Sequence, residues 1–165
     1  MQKHTLYLIF LVSLLFTTSC GVTKKTVQRV TIPELSAEEA RRHDYYFLEA
    51  TRQREMENHV DALAMYEHCL AINPHSAAVM YELAQYYVFL QQPERSRTLL
   101  EKAVELEPDN FWYRQTLGAY YRSIKEEDKA IAVYEEMSTQ FPSRGELLMM
   151  LMELYAQQSD YPNLI

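Results

Sequence analysis

The sequence predicts an all-α solenoid of antiparallel helix pairs, and three observations carry that expectation. Pro74, Pro108 and Pro142 stand 34 residues apart. Small residues recur at the same interval, at Ala50, Ala84 and Gly118, and again at Ala62, Ser96 and Ala130. Large apolar residues do so at Tyr66, Leu100 and Tyr134, at Leu83, Leu117 and Leu151, and at Tyr87, Tyr121 and Tyr155. A fixed period of this length marks a helical hairpin that cannot bury its apolar face alone and must stack on its neighbours. The composition agrees. Of 165 residues 48% are apolar, only three are glycine, and no Asn-Gly or Asp-Gly hairpin signal occurs.

The chain opens with MQKHTLYLIFLVSLLFTTSC. Lys3 precedes an apolar run from Leu6 to Phe16, which is too short to span a bilayer and has the layout of a secretory signal. Cys20 follows at once. The arrangement resembles a bacterial lipoprotein signal, with looser residues before the cysteine (Thr17, Ser19) of the kind seen in Bacteroidota. The resemblance implies a signal peptide at 1–19 and an acylated (palmitate-bearing) Cys20 at the mature N-terminus. It also implies, from Gly21 and the basic Lys24, Lys25 and Arg29, an outer-membrane anchor facing the periplasm. Two or more acyl chains suffice for stable anchoring. Residues 20–35 read as a polar linker. Ser36 and Glu39 then form a capping box that opens the first helix.

Residues 36–165 form the repeat domain, with repeats at about 43–76, 77–110 and 111–144 and an incomplete one at 145–165. The small residues Ala50, Ala62, Ala84, Ala103, Gly118 and Ala130 are expected where paired helices approach most closely. Medium residues recur at Cys69, Ala103 and Met137. Each proline stops a second helix, and Asp109 and Asn110 supply cap chemistry for the next one. Cys69 reads as a buried structural thiol. The first repeat departs from the pattern at Glu49 and Gln53, as suits a terminal unit with no neighbour before it. The fourth begins with "ELLMMLMELYAQQ" and stops three residues after Pro162. A second helix there would cover Leu148, Leu151 and Leu154, so the chain reads as a fragment of a longer repeat protein.

The stretches "YELAQYYVFLQQPERSRTLLEKAVELEP" and "YRQTLGAYYRSIKEEDKAIAVYEEMSTQFP" resemble the tetratricopeptide repeat (TPR) family over roughly 43–165, about three and a half repeats. The resemblance implies a right-handed superhelix whose concave groove is lined by first helices. Carried over, it places Asp44, Phe47, Thr51, Arg54, Tyr81, Gln85, Val88, Phe89, Trp112, Gln115, Ala119 and Arg122 in that groove. Aromatic and arginine side chains are the usual anchors of an interface. For Phe89 and Trp112, packing between repeats is the alternative. TPR domains that clamp a terminal carboxylate use Lys, Asn and Arg; the corresponding slots here hold Phe47, Thr51, Glu82, Trp112 and Thr116, so that ligand is not expected.

Other function classes fall away. The net charge is −7, and the basic residues are scattered among acids, which disfavours nucleic acid. Many of the thirteen tyrosines recur with the repeat, and the Tyr87, Tyr121 and Tyr155 series reads as packing rather than as a nucleic-acid stacking surface. None of the five histidines has a metal-ligand spacing, and neither a phosphate loop nor a nucleophile elbow occurs. No catalytic residue, metal, cofactor or small-molecule substrate is expected. The expected function is a membrane-anchored scaffold that binds an extended or helical segment of an envelope or periplasmic protein. The alternatives are the accessory or sensor region of a longer enzyme or signalling protein, and a free periplasmic module.

Overall fold

The computed structural model describes residues 34–158. The signal at 1–19, Cys20, the linker as far as residue 33 and the turn at Pro162 lie outside the described residues. Seven helices and no strand occur among the described residues: α1 (Ala37–Glu55), α2 (His59–Ile72), α3 (Ala77–Phe89), α4 (Pro93–Leu106), α5 (Phe111–Ser123), α6 (Glu127–Gln140) and α7 (Gly145–Gln157). From α4 onward every helix starts and ends 34 residues after its predecessor of the same kind. Only α1 breaks step, because its start is set by a local signal. The Ser36 backbone N–H donates to the Glu39 carboxylate at 2.9 Å, and the Glu39 N–H donates to Ser36 Oγ at 3.3 Å. That reciprocal cap fixes the start at Ala37 and holds the Glu39 carboxyl below its usual range.

The prolines lie two residues beyond the ends of α2, α4 and α6, where a ring without an N–H removes nothing from the helix. Asn110 caps α5, its Oδ1 accepting from the N–H groups of Trp112 at 3.2 Å and Tyr113 at 3.4 Å. Asp109 does not cap; it accepts from the Gln140 amide at 2.7 Å. Within each pair the chain turns through a left-handed residue, Glu57, Gln91 or Lys125, at φ of 62°, 56° and 61°. All three are side-chain-bearing residues in a region that favours glycine.

Helices pack within pairs and between successive pairs. Ala50, Ala62, Ala84, Ala103 and Ala130 have no exposed surface. Gly118 permits the closest approach: a Cβ there would lie 2.7 Å from Cζ of the buried Tyr134 ring. Leu99 touches all three buried clusters and joins them into one continuous core. Burying a leucine as fully as Leu83 contributes about 1.5–3 kcal/mol.

Successive pairs are also joined by a recurring polar bond. The Tyr87 hydroxyl donates to Glu67 at 2.7 Å, Tyr121 donates to Glu101 at 2.7 Å, and Tyr155 donates to Glu135. Each bond runs from a first helix to the second helix of the preceding pair. Arg95 lies 4.2 Å over the Tyr87 ring, and Lys129 lies 5.3 Å over that of Tyr121. Burial pushes the Tyr87 hydroxyl up to about 12 and that of Tyr121 further. Cys69 is buried, its thiol donating to the His43 carbonyl, and burial raises it to about 11.

One expectation is corrected at α7. Leu151 and Leu154 are already buried, together with Leu147, in the cluster built on Tyr134 and Met137. The exposed apolar residues of this helix are Leu148, Met149 and Met152. The α6 contact covers the stripe at 147, 151 and 154, which shares one face at helical spacing.

Candidate protein-binding groove

Two clefts open between successive first helices, at equivalent places in successive repeats. The larger, about 530 Å³, has Arg54, Glu55 and His59 on one wall and Glu82, Gln85, Tyr86 and Phe89 on the other. The smaller, about 230 Å³, is lined by Val88, Thr116, Ala119, Tyr120 and Ser123, the residues 34 positions on from Arg54, Glu82, Gln85, Tyr86 and Phe89. Gln85 borders both, and Ser96 lines the smaller.

The structure brings together Arg54, Gln85 and Phe89 of the groove residues read from the sequence. Phe89 is 82% exposed and Trp112 61%, so neither is packed between repeats. Trp112 meets the buried Phe111 edge-on, with ring centroids 5.3 Å apart, and stands outside both clefts. Gln115 is half-buried in α5.

Phe47, Thr51 and Tyr81 are half-buried on their first helices, each against a neighbouring side chain. Phe47 packs edge-on to Tyr66 at 5.9 Å. The Thr51 hydroxyl donates to the Phe47 carbonyl at 2.9 Å and lies 3.3 Å from the Tyr66 hydroxyl. Tyr81 lies 5.0 Å from the Tyr113 ring.

Both arginines are engaged within the chain. Arg54 donates to Glu82 at 2.6 Å and to Glu55 at 3.3 Å, and the Glu82 contact raises its already high pKa. Arg122 donates to Glu153 at 3.1 Å. Neither stands free for an incoming carboxylate.

Sequence reasoning did not place Glu55, His59 or Tyr86 of the larger cleft in the groove, and Glu82 entered only as a slot where the carboxylate clamp is missing. Tyr86 had a signal, because its repeat counterpart Tyr120 makes the comparison possible. The Tyr120 hydroxyl donates to the Pro93 carbonyl at 2.6 Å. The residue matching Pro93 is His59, which meets the Tyr86 ring edge-on at 6.1 Å. The Tyr86 hydroxyl is buried and has no hydrogen-bond partner among the described residues. Burial raises its pKa, so it stays protonated, able both to donate and to accept. Ser96 Oγ, in the smaller cleft, is likewise buried without a partner.

Among the described residues no group of three or more His, Cys, Asp or Glu side chains could hold a metal ion. No described helix is long and apolar enough to cross a membrane.

The architecture is a TPR-like helical solenoid, a class the comparisons support. Residues 53–118 match the family model of the tetratricopeptide repeat. MamA of strain AMB-1 superposes with a TM-score of 0.67 at 22% identity, over 74% of this chain and 67% of that one. MamA of Desulfovibrio magneticus RS-1 gives 0.63 at 14% identity, over 74% and 69%. YrrB, described as a TPR protein with an unusual peptide-binding site, gives 0.62 at 21%, over 74% and 62%. Identities this low speak for the fold alone. No curated protein sequence matches the chain.

Proposed function

We propose that this chain is a non-enzymatic TPR scaffold of the bacterial cell envelope that binds a segment of a partner protein across its first-helix face. The observation that carries the reading is the pair of clefts on that face with Phe89 standing exposed beside them. A large exposed aromatic at the rim of a cleft is the chemistry of an interface anchor. YrrB, which shares the fold, is described by its peptide-binding site. The proposed occupant is an extended or helical segment, because the clefts lie side by side along α1, α3 and α5 rather than closing around one small molecule.

The proposal includes the anchor. Acylated Cys20 would hold the domain at the outer membrane, facing the periplasm, on a polar linker. Capture from detergent-solubilised envelope, with the full chain as bait, tests the groove. Phe89→Ala should lower recovery of the captured protein while Lys102→Ala on α4 leaves it unchanged. The reverse result sinks the groove reading. The anchor is tested separately: Cys20→Ala should leave the membrane fraction, and a variant that still sediments with it refutes acylation.

A further inference from the structure

We propose that the larger cleft takes a basic side chain, a lysine or arginine of the partner segment. The inference rests on the groove reading and adds the chemistry of what enters. Three ionised groups meet there: Arg54 is shared between Glu82 at 2.6 Å and Glu55 at 3.3 Å. One cation against two carboxylates leaves a local excess of one negative charge. An incoming carboxylate would face that excess and a guanidinium already engaged twice. An incoming cation neutralises it.

The walls fit the rest of such a side chain. Lysine and arginine carry an apolar stem, which wants hydrocarbon or aromatic surface, and a charged head, which wants acceptors. Phe89 and Tyr86 supply two rings for the stem and for cation–π contact. Glu82 and the outer, 71% exposed Glu55 side chain supply acceptors for the head. The buried Tyr86 hydroxyl, unpartnered among the described residues, is a further acceptor. The repeat-related cleft has none of this set: Val88, Thr116 and Ser123 replace Arg54, Glu82 and Phe89, and the Tyr120 hydroxyl is taken by Pro93. The basic side chain is therefore specific to the first of the two clefts.

Three capped nonapeptides test this, identical and leucine-flanked except for a central arginine, citrulline or glutamate. They are titrated into the isotope-labelled full chain in detergent at one fixed pH and followed by amide shifts. The arginine peptide should shift Glu82, Tyr86 and Phe89 saturably and bind about fivefold or more tighter than the citrulline peptide, a gap of about 1 kcal/mol. Glu82→Gln should erase that gap. Glu55→Gln, at an exposed position that the fold does not need, should narrow it. Equal binding of arginine and citrulline, preference for glutamate, or no saturable shift at millimolar peptide overturns the inference. Shifts confined to Trp112 and Met149 also overturn it but leave the groove reading standing. Shifts confined to α2, α4 and α6 overturn both.

Discussion

The two clefts are built from the same slots of successive repeats and differ in almost every side chain. The first holds Arg54, Glu82, Gln85, Tyr86 and Phe89; the second holds Val88, Thr116, Ala119, Tyr120 and Ser123. Behind them the packing positions repeat closely: Ala50 and Ala84, Leu83 and Leu117, Tyr87 and Tyr121 are all buried. The difference teaches how one helix divides its labour. The stripe facing the partner helices is held constant, because overpacking or a void there is felt by every neighbour. The stripe facing the clefts is free to vary, so each repeat can offer its own chemistry on a common frame.

The largest way to break the comparison is to break the frame. Gly118→Leu drives a side chain into the Tyr134 ring, whose Cζ already lies 2.7 Å from where a Cβ would be. We expect a loss of about 3 kcal/mol or more, at the upper end for overpacking, read as a fall in Tm. The exposed Glu107→Leu should change Tm little. Gly118→Ala should lose less, because helix propensity returns about 1 kcal/mol. An unchanged Tm for Gly118→Leu would mean that the two helices do not meet where the repeat places them.

Alkali probes both clefts and the seams together. Burial raises the hydroxyls of Tyr66, Tyr86, Tyr120 and Tyr134, takes those of Tyr87 and Tyr113 up to about 12, and raises that of Tyr121 further. Unfolded tyrosines ionise near 10. Between about pH 10 and 12 the unfolded chain therefore binds fewer protons than the folded one, and stability falls as pH rises. It is fully present below pH 10. Tm measured from pH 8 to 12 should drop across that window, and Tyr87→Phe with Tyr121→Phe should flatten the drop. A Tm that holds level would contradict the buried hydroxyls.

A smaller effect separates Tyr120 from Tyr86. Tyr120→Phe removes the bond to the Pro93 carbonyl and should cost about 1 kcal/mol. Tyr86→Phe removes a hydroxyl with no partner among the described residues and should be neutral or slightly stabilising. Equal losses would show that Tyr86 has a partner after all.

The smallest lies in the turns beside the clefts. Glu57→Gly and Gln91→Gly relieve left-handed strain and should each raise stability, by about 0.5–1 kcal/mol at most. Opposite signs for the two would show that the turns are not equivalent.

The frame was legible because it repeats. Proline spacing, the small residues and the Tyr87 series each depend on local shape, which a 34-residue period displays directly in the sequence. The recurring Glu67, Glu101 and Glu135 carried the same signal and went unread, since a glutamate on a helix is usually solvated. The clefts were legible only in part, for the opposite reason. Apart from Tyr86 and Tyr120 their residues do not recur, so nothing in the period marks Glu82, and the pairing of Arg54 with Glu82 spans two helices. An aromatic on that face, such as Phe47 or Tyr81, can serve a ligand, a neighbouring ring or both, and the period does not separate these roles.

The tyrosine–glutamate bond has a consequence for how such a chain changes length. A second copy of residues 77–110, inserted after residue 110, would bring its own equivalent of Tyr87 against Glu101, as Tyr121 is placed now. Tyr121 would in turn meet the copied equivalent of Glu101. Both new joints would close with hydrogen bonds already present, and no residue would need to change. The coupling is interchangeable, like identical links in a chain. A duplication in the gene can lengthen the binding face by one repeat in a single step and leave the new cleft residues to diverge afterwards.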